Sequence, residues 1–117
     1  MSQRKRSLSS ADSRKQIDEY IALSVDTAIG EMLGEAVVDA FYVYMNERGV
    51  ARREVRQKVK LFCSILDNTF GIQSQPMQRK IAQKLFSRLG LAFTPIRETT
   101  LVDYVATAEE MLRHVEA

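Results

Sequence analysis

A chain of 117 residues, 45% hydrophobic, 27% charged and formally +2 at pH 7, fits one domain that buries roughly two-thirds of the surface its unfolded form exposes. Its single cysteine, Cys63, excludes an internal disulfide and suits a reducing compartment, so a cytoplasmic protein is expected. The longest apolar run, Ala40 to Met45, falls far short of the roughly 18 residues of a membrane span, and no apolar segment follows the basic N-terminal residues as a secretory signal would require.

The small net charge conceals a segregation along the chain. Residues 1–15 carry Arg4, Lys5, Arg6, Arg14 and Lys15 against Asp12, for +4. Residues 16–47 hold seven acids and no lysine or arginine, for −7; residues 48–97 then reach +9, and residues 98–117 return to −4. A basic middle lies between acidic flanks.

Residues 1–12 are rich in serine and arginine with Leu8 as the one large apolar side chain, too little to offset ordering entropy, and read as a flexible basic arm ahead of a helical domain at 13–117. Arg4 and Arg6 each precede a serine by three residues, Ser7 and Ser9, a spacing that basophilic kinases favour. Phosphates there would cancel the arm's charge. Ser13 followed by Gln16 predicts a capping box and a helix start. Ile17, Tyr20, Ile21, Ser24, Val25, Ala28 and Met32 then recur at spacings of three and four, which predicts an amphipathic helix to about Leu33, stopped by Gly34.

From Glu35 to Arg48 apolar side chains crowd every face, predicting a central, buried helix. A strand over Val37 to Met45 is the competing reading, but no second strand offers itself to pair with it. Because so small a bundle has limited room inside, part of this helix, with Phe41, Tyr42, Tyr44 and Met45, is a candidate self-association seam.

After Gly49, Val55, Val59, Phe62, Cys63, Leu66 and Phe70 form the cleanest helical stripe. Gly71 closes it, and Ser74 or Gln75 with Pro76 opens a fourth helix that shows Met77, Ile81, Leu85 and Leu89 on one face before Gly90. Leu91 to Thr99, with Pro95 and no period, is a loop whose Leu91, Phe93 and Ile96 can dock on the core. Thr100 and Asp103 start a last helix carrying Leu101, Tyr104, Val105, Ala108, Leu112 and Val115. The expected fold is all-α, a single small bundle-like domain of about five helices.

Chemistry-bearing residues are few, and no enzyme, cofactor or metal is expected. His114 is the sole histidine, near the end of the sequence; Cys63 lies in an apolar stripe where burial raises a thiol pKa. One cysteine and one histidine cannot assemble a structural zinc site, the acids of the first two helices lack the histidines of a di-metal centre, and the five glycines stand singly rather than in a phosphate loop.

Two features point to partners. Arg52, Arg53, Arg56 and Lys60 are placed on the third helix away from its stripe, and Lys80, Lys84 and Arg88 line the fourth at spacing four. Such a row can contact phosphates, or it can neutralise the acidic helices beside it, within one chain or across a dimer. The stretch Phe70 to Ile81, with Gly71-Ile72 and then Ser74-Gln75-Pro76 leading to Arg79, resembles the turn and recognition helix of helix-turn-helix regulators. That resemblance implies Gln75, Gln78 and Arg79 as base- or phosphate-facing residues. It covers about a dozen residues and departs where Gln73 lengthens the turn and where Asp67 replaces a small apolar residue. The expected function is a non-enzymatic interaction module acting through protein contacts, self-association included, with a nucleic-acid-binding regulator as the alternative.

Overall fold

The structure is a computed structural model that describes residues 10–96 and 98–116. Five α-helices follow one another among them: α1 (Ser10–Leu33), α2 (Val38–Glu47), α3 (Val59–Phe70), α4 (Ser74–Leu89) and α5 (Leu101–Glu116). Single 3-10 turns at Glu35–Val37, Arg52–Glu54 and Gly71–Gln73 lead into α2, α3 and α4. The all-α expectation holds, with no strand among the described residues. The serines of the arm before residue 10, and Arg4, Lys5 and Arg6, lie outside the described residues.

The central element is α1, and α2 is peripheral, the reverse of the sequence expectation. Ile21, Ala22, Ser24, Val25, Ala28 and Ile29 are all buried and cover a sector of about 160° at 100° per residue, wide enough for α1 to pack against α4 along its length and against α2 and the Arg52–Glu54 turn as well. Ala22 and Ile29, outside the expected stripe, widen the buried sector, and the serine within the stripe is buried with them. Ser24 Oγ donates to Tyr20 O at 2.7 Å, so the hydroxyl is satisfied by its own helix and enters the core at little cost. On α2 only Phe41 and Met45 are buried, while Val43 is 59% exposed. Apolar side chains are tolerated on a surface far more readily than unpaired polar ones inside.

Helix boundaries follow local chemistry, with two departures. Helix α1 begins at Ser10, so Ser13 lies within it rather than at its start, and Gln16 Nε2 donates to Tyr20 Oη at 3.2 Å. The stripe expected from Val55 becomes an α-helix only at Val59: Val50 and Val55 are both buried as separate anchors, with the Arg52–Glu54 turn between them and Gly49 at φ +97° just before them. Gly90 ends α4 as expected: φ is +72°, Leu91 N–H donates to Phe86 O at 2.9 Å and Gly90 N–H to Ser87 O at 3.1 Å, the paired bonds of a Schellman closure. Beyond it Leu91 and Phe93 dock on the core, Phe93 meeting Phe86 and Tyr104 at ring-centroid distances of 5.3 and 5.2 Å. Ile96 remains exposed, and only its backbone is held, its N–H donating to Tyr104 Oη at 2.9 Å.

Cys63 lies in the core beside Phe62 and Leu66, and burial pushes its thiol up to about 11. A free thiol titrates near about 8.5, so the protonated form favours the fold. This contribution is present below the free-thiol value and is lost as pH climbs from there towards the folded one. Native protein at pH 8 should therefore react with a thiol reagent at least about a hundredfold more slowly than protein in denaturant, as labelling followed by mass spectrometry will read.

Candidate interaction surfaces

Most of the basic row is spent inside the chain. Because Arg52, Arg53 and Arg56 belong to the connection before α3 rather than to α3 itself, they reach across to the acidic side of α1. Arg52 forks onto both oxygens of Asp26, Arg53 meets Glu19 at 2.7 Å, and Arg56 forks onto Asp18, with Glu109 of α5 at 3.8 Å. On α4, Lys80 and Lys84 grip the two oxygens of Glu31 at 3.1 and 3.0 Å, and Arg88 donates to Thr27 Oγ1 at 3.0 Å. Four acids of the −7 block thus answer five cations of the +9 block within one chain. Among the described residues, Lys60 and Arg79 are exposed with no carboxylate within 4 Å.

The electrostatic consequences follow the contacts. Hydrogen bonds from Lys84 and then Lys80 hold Glu31 below the ordinary glutamate range, while the Asp26 carboxylate holds the Arg52 guanidinium above its ordinary value. Burial, and then Asp26, pushes the Tyr42 phenol well above its ordinary value, and the protonated hydroxyl donates to Ala22 O at 3.2 Å.

The helix-turn-helix-like segment is used as a clasp between helices. Gln78 is 2% exposed, which corrects the expectation that it faces a base. Its Oε1 accepts the N–H of Leu101 at 2.9 Å, satisfying one of the orphan donors at the start of α5. Its Nε2 donates to Ser74 Oγ at 2.9 Å and Asp67 Oδ1 at 3.3 Å, and Ser74 Oγ donates to the same Asp67 oxygen. Gln75 is half-buried and donates to Thr99 O at 3.0 Å. Asp67, the misfit in the resemblance, is the anchor of this network. Arg79 alone of the three implied contact residues is exposed to solvent.

The proposed seam on α2 is corrected in the same way. Phe41 is buried edge-on against Phe62, ring centroids 6.3 Å apart, and Met45 is 1% exposed, so neither can meet a partner. Tyr42 faces α1 through its bond to Ala22. Tyr44 is the member that reaches an open surface. Its hydroxyl shares a 2.8 Å hydrogen bond with Thr69 of α3, and the Arg48 guanidinium stacks 3.5 Å above its ring. These two and Leu61, Ser64, Ile65, Asn68 and Thr69 line an open groove of about 320 Å³ between α2 and α3.

Sequence reasoning missed the α3 wall of that groove. Leu61 is 43% exposed, and the available signal was that it stands off the stripe of Val59, Phe62, Cys63 and Leu66. Ile72, which the sequence places in the turn motif, is 88% exposed in the turn after α3. A second hollow, about 380 Å³ and lined by Asp26, Thr27, Gly30, Glu31, Glu35 and Val38, includes two carboxylates already taken by Arg52 and by Lys80 and Lys84. Among the described residues no cluster of histidine, cysteine, aspartate or glutamate is placed to hold a metal ion, and no helix is long and apolar enough to cross a membrane. The chain matches none of the protein-family models, curated proteins or solved structures with which it was compared.

Proposed function

We propose that this chain is a non-enzymatic helical module that works through protein contacts, self-association first among them, in a reducing compartment such as the cytoplasm. The observation that carries the reading is the groove between α2 and α3, where the Tyr44 ring and a half-exposed Leu61 line an open hollow floored by the buried Ile65. Exposed apolar surface with a polar rim is what small soluble proteins keep for a partner. Support comes also from the internal pairing of Arg52, Arg53, Arg56, Lys80 and Lys84. A nucleic-acid surface would have to break those pairs before it could bind phosphates.

Sedimentation at several concentrations, run beside duplex DNA titrations at two salt levels, tests the reading. Mass that rises with concentration is expected, together with weak DNA binding and a shallow salt slope, since only a few cations are unspent. A concentration-independent monomer that binds DNA steeply in salt would replace this reading with the nucleic-acid one. In that case Arg79→Ala and Lys60→Ala should each lower the slope by about one.

A further inference from the structure

The exposed face of α3 is electrically self-complementary. At 100° per residue, Asp67, Lys60, Ser64, Asn68 and Leu61 fall within a sector of about 120°, and all five are exposed. Lys60 and Asp67 stand seven residues apart, two turns or about 10.5 Å along the axis, with Ser64 between them. Neither has an oppositely charged partner within 4 Å among the described residues. Asp67 spends Oδ1 on Ser74 and Gln78, and its Oδ2 has no donor among the described residues.

The groove carries the same polarity. Tyr44 meets Thr69 near the end of α3, while a Cβ placed on Gly49, in the turn after α2, would lie 3.8 Å from Leu61 Cδ2 near its start. The leucine end is the basic end. Arg48 there is occupied by the Tyr44 ring and by Glu47 at 3.9 Å, which leaves Lys60 as the unspent positive charge; the Asn68 end carries Asp67.

We infer that α3 packs antiparallel against α3 of a second copy of this chain about a twofold axis near Ser64, with Lys60 of each copy facing Asp67 of the other. An isologous contact sets each residue against its counterpart in reverse order, so a face positive at one end and negative at the other matches itself only when antiparallel. The small Ser64 at the crossing lets the helices approach. Leu61 then covers the partner's groove near Asn68, and Leu61 and Tyr44 leave water together.

The inference rests on the self-association reading and is tested so that the two fail separately. Full-length chain carrying Ser64→Cys should form a disulfide-linked dimer under mild oxidation in native buffer and not in denaturant, since cysteines near a twofold come within the 4.4–6.8 Å Cα separation a disulfide needs. Leu61→Glu and Lys60→Glu should each weaken dimerisation at least tenfold by sedimentation equilibrium, the second by turning two attractions into two repulsions. Arg79→Glu changes net charge equally on another exposed site and should leave the dimer unchanged. If the chain associates but Ser64→Cys does not cross-link and Leu61→Glu and Lys60→Glu associate normally, this face is wrong and self-association stands. A monomer at every concentration overturns both.

Discussion

Replacing Gln78 by alanine is expected to destabilise the fold by about 2–3 kcal/mol, although the residue lies in a segment that reads as a DNA-contacting one. The substitution strands the buried N–H of Leu101 and removes the donor shared by Ser74 and Asp67. Each buried group left without a partner costs about 1–3 kcal/mol. For a domain of this size the thermal midpoint should fall by roughly 10–20 °C, a large part of the 5–15 kcal/mol or so that small domains have in total. Gln75→Ala, which gives up a single half-buried bond to Thr99 O, should cost only about 1 kcal/mol. Gln78→Glu keeps an acceptor for Leu101 but sets a second carboxylate beside Asp67, so it should be unstable at neutral pH and recover as acid protonates one of the pair. A Gln78→Ala midpoint equal to wild type would show that α5 does not depend on this clasp.

Where the sequence misled, it did so for one physical reason: types and spacings specify what a side chain can do, whereas partners decide what it does. The stripe of α3 from Val59, the glycine stops and the loop before α5 were legible because each depends on residues close together in the chain. The central place of α1 was not. It depends on Ala22 and Ile29, which stand beside the expected stripe and are fully buried, so that the packed sector of α1 is wider than the spacing of its stripe shows. The apolar run of α2 was over-read, since a ten-residue helix held from one side buries only Phe41 and Met45. Gln78 and Asp67 illustrate the same limit. Gln78 fits a recognition helix by its position and Asp67 does not, but the role of both is set by the arrival of the α5 N-terminus twenty-three residues after Gln78. The charge blocks were plain in the sequence, and their mutual neutralisation was one of two outcomes left open. What separates the outcomes is the turn at Arg52–Glu54, which swings three arginines off the expected α3 and onto α1.

Those three arginines should differ sharply in what they contribute, and Arg56 should matter most. Its side chain is 15% exposed and that of Asp18 is 12% exposed, so the forked pair is largely out of water. Removing one partner from a buried ion pair typically costs about 3–5 kcal/mol, because the remaining charge is stranded. Water still reaches the edge of this pair, so Arg56→Ala should cost about 2–4 kcal/mol by denaturant unfolding. Arg56→Lys keeps the charge without the fork and should recover about half of that loss. Arg53→Ala, at a pair where the arginine is 65% exposed, should change stability by less than about 1 kcal/mol. Salt separates the two sites again: at about 1 M the screening length is near 3 Å, which erases the Arg53 contribution and leaves most of that of Arg56. The double variant Asp18→Leu with Arg56→Met removes both charges of the forked pair and leaves only the more exposed Glu109 without its partner, so it should be more stable than Arg56→Ala and close to wild type. An arginine held in reserve for phosphates would give the opposite pattern, with Arg56→Ala neutral in stability and costly only when DNA is present.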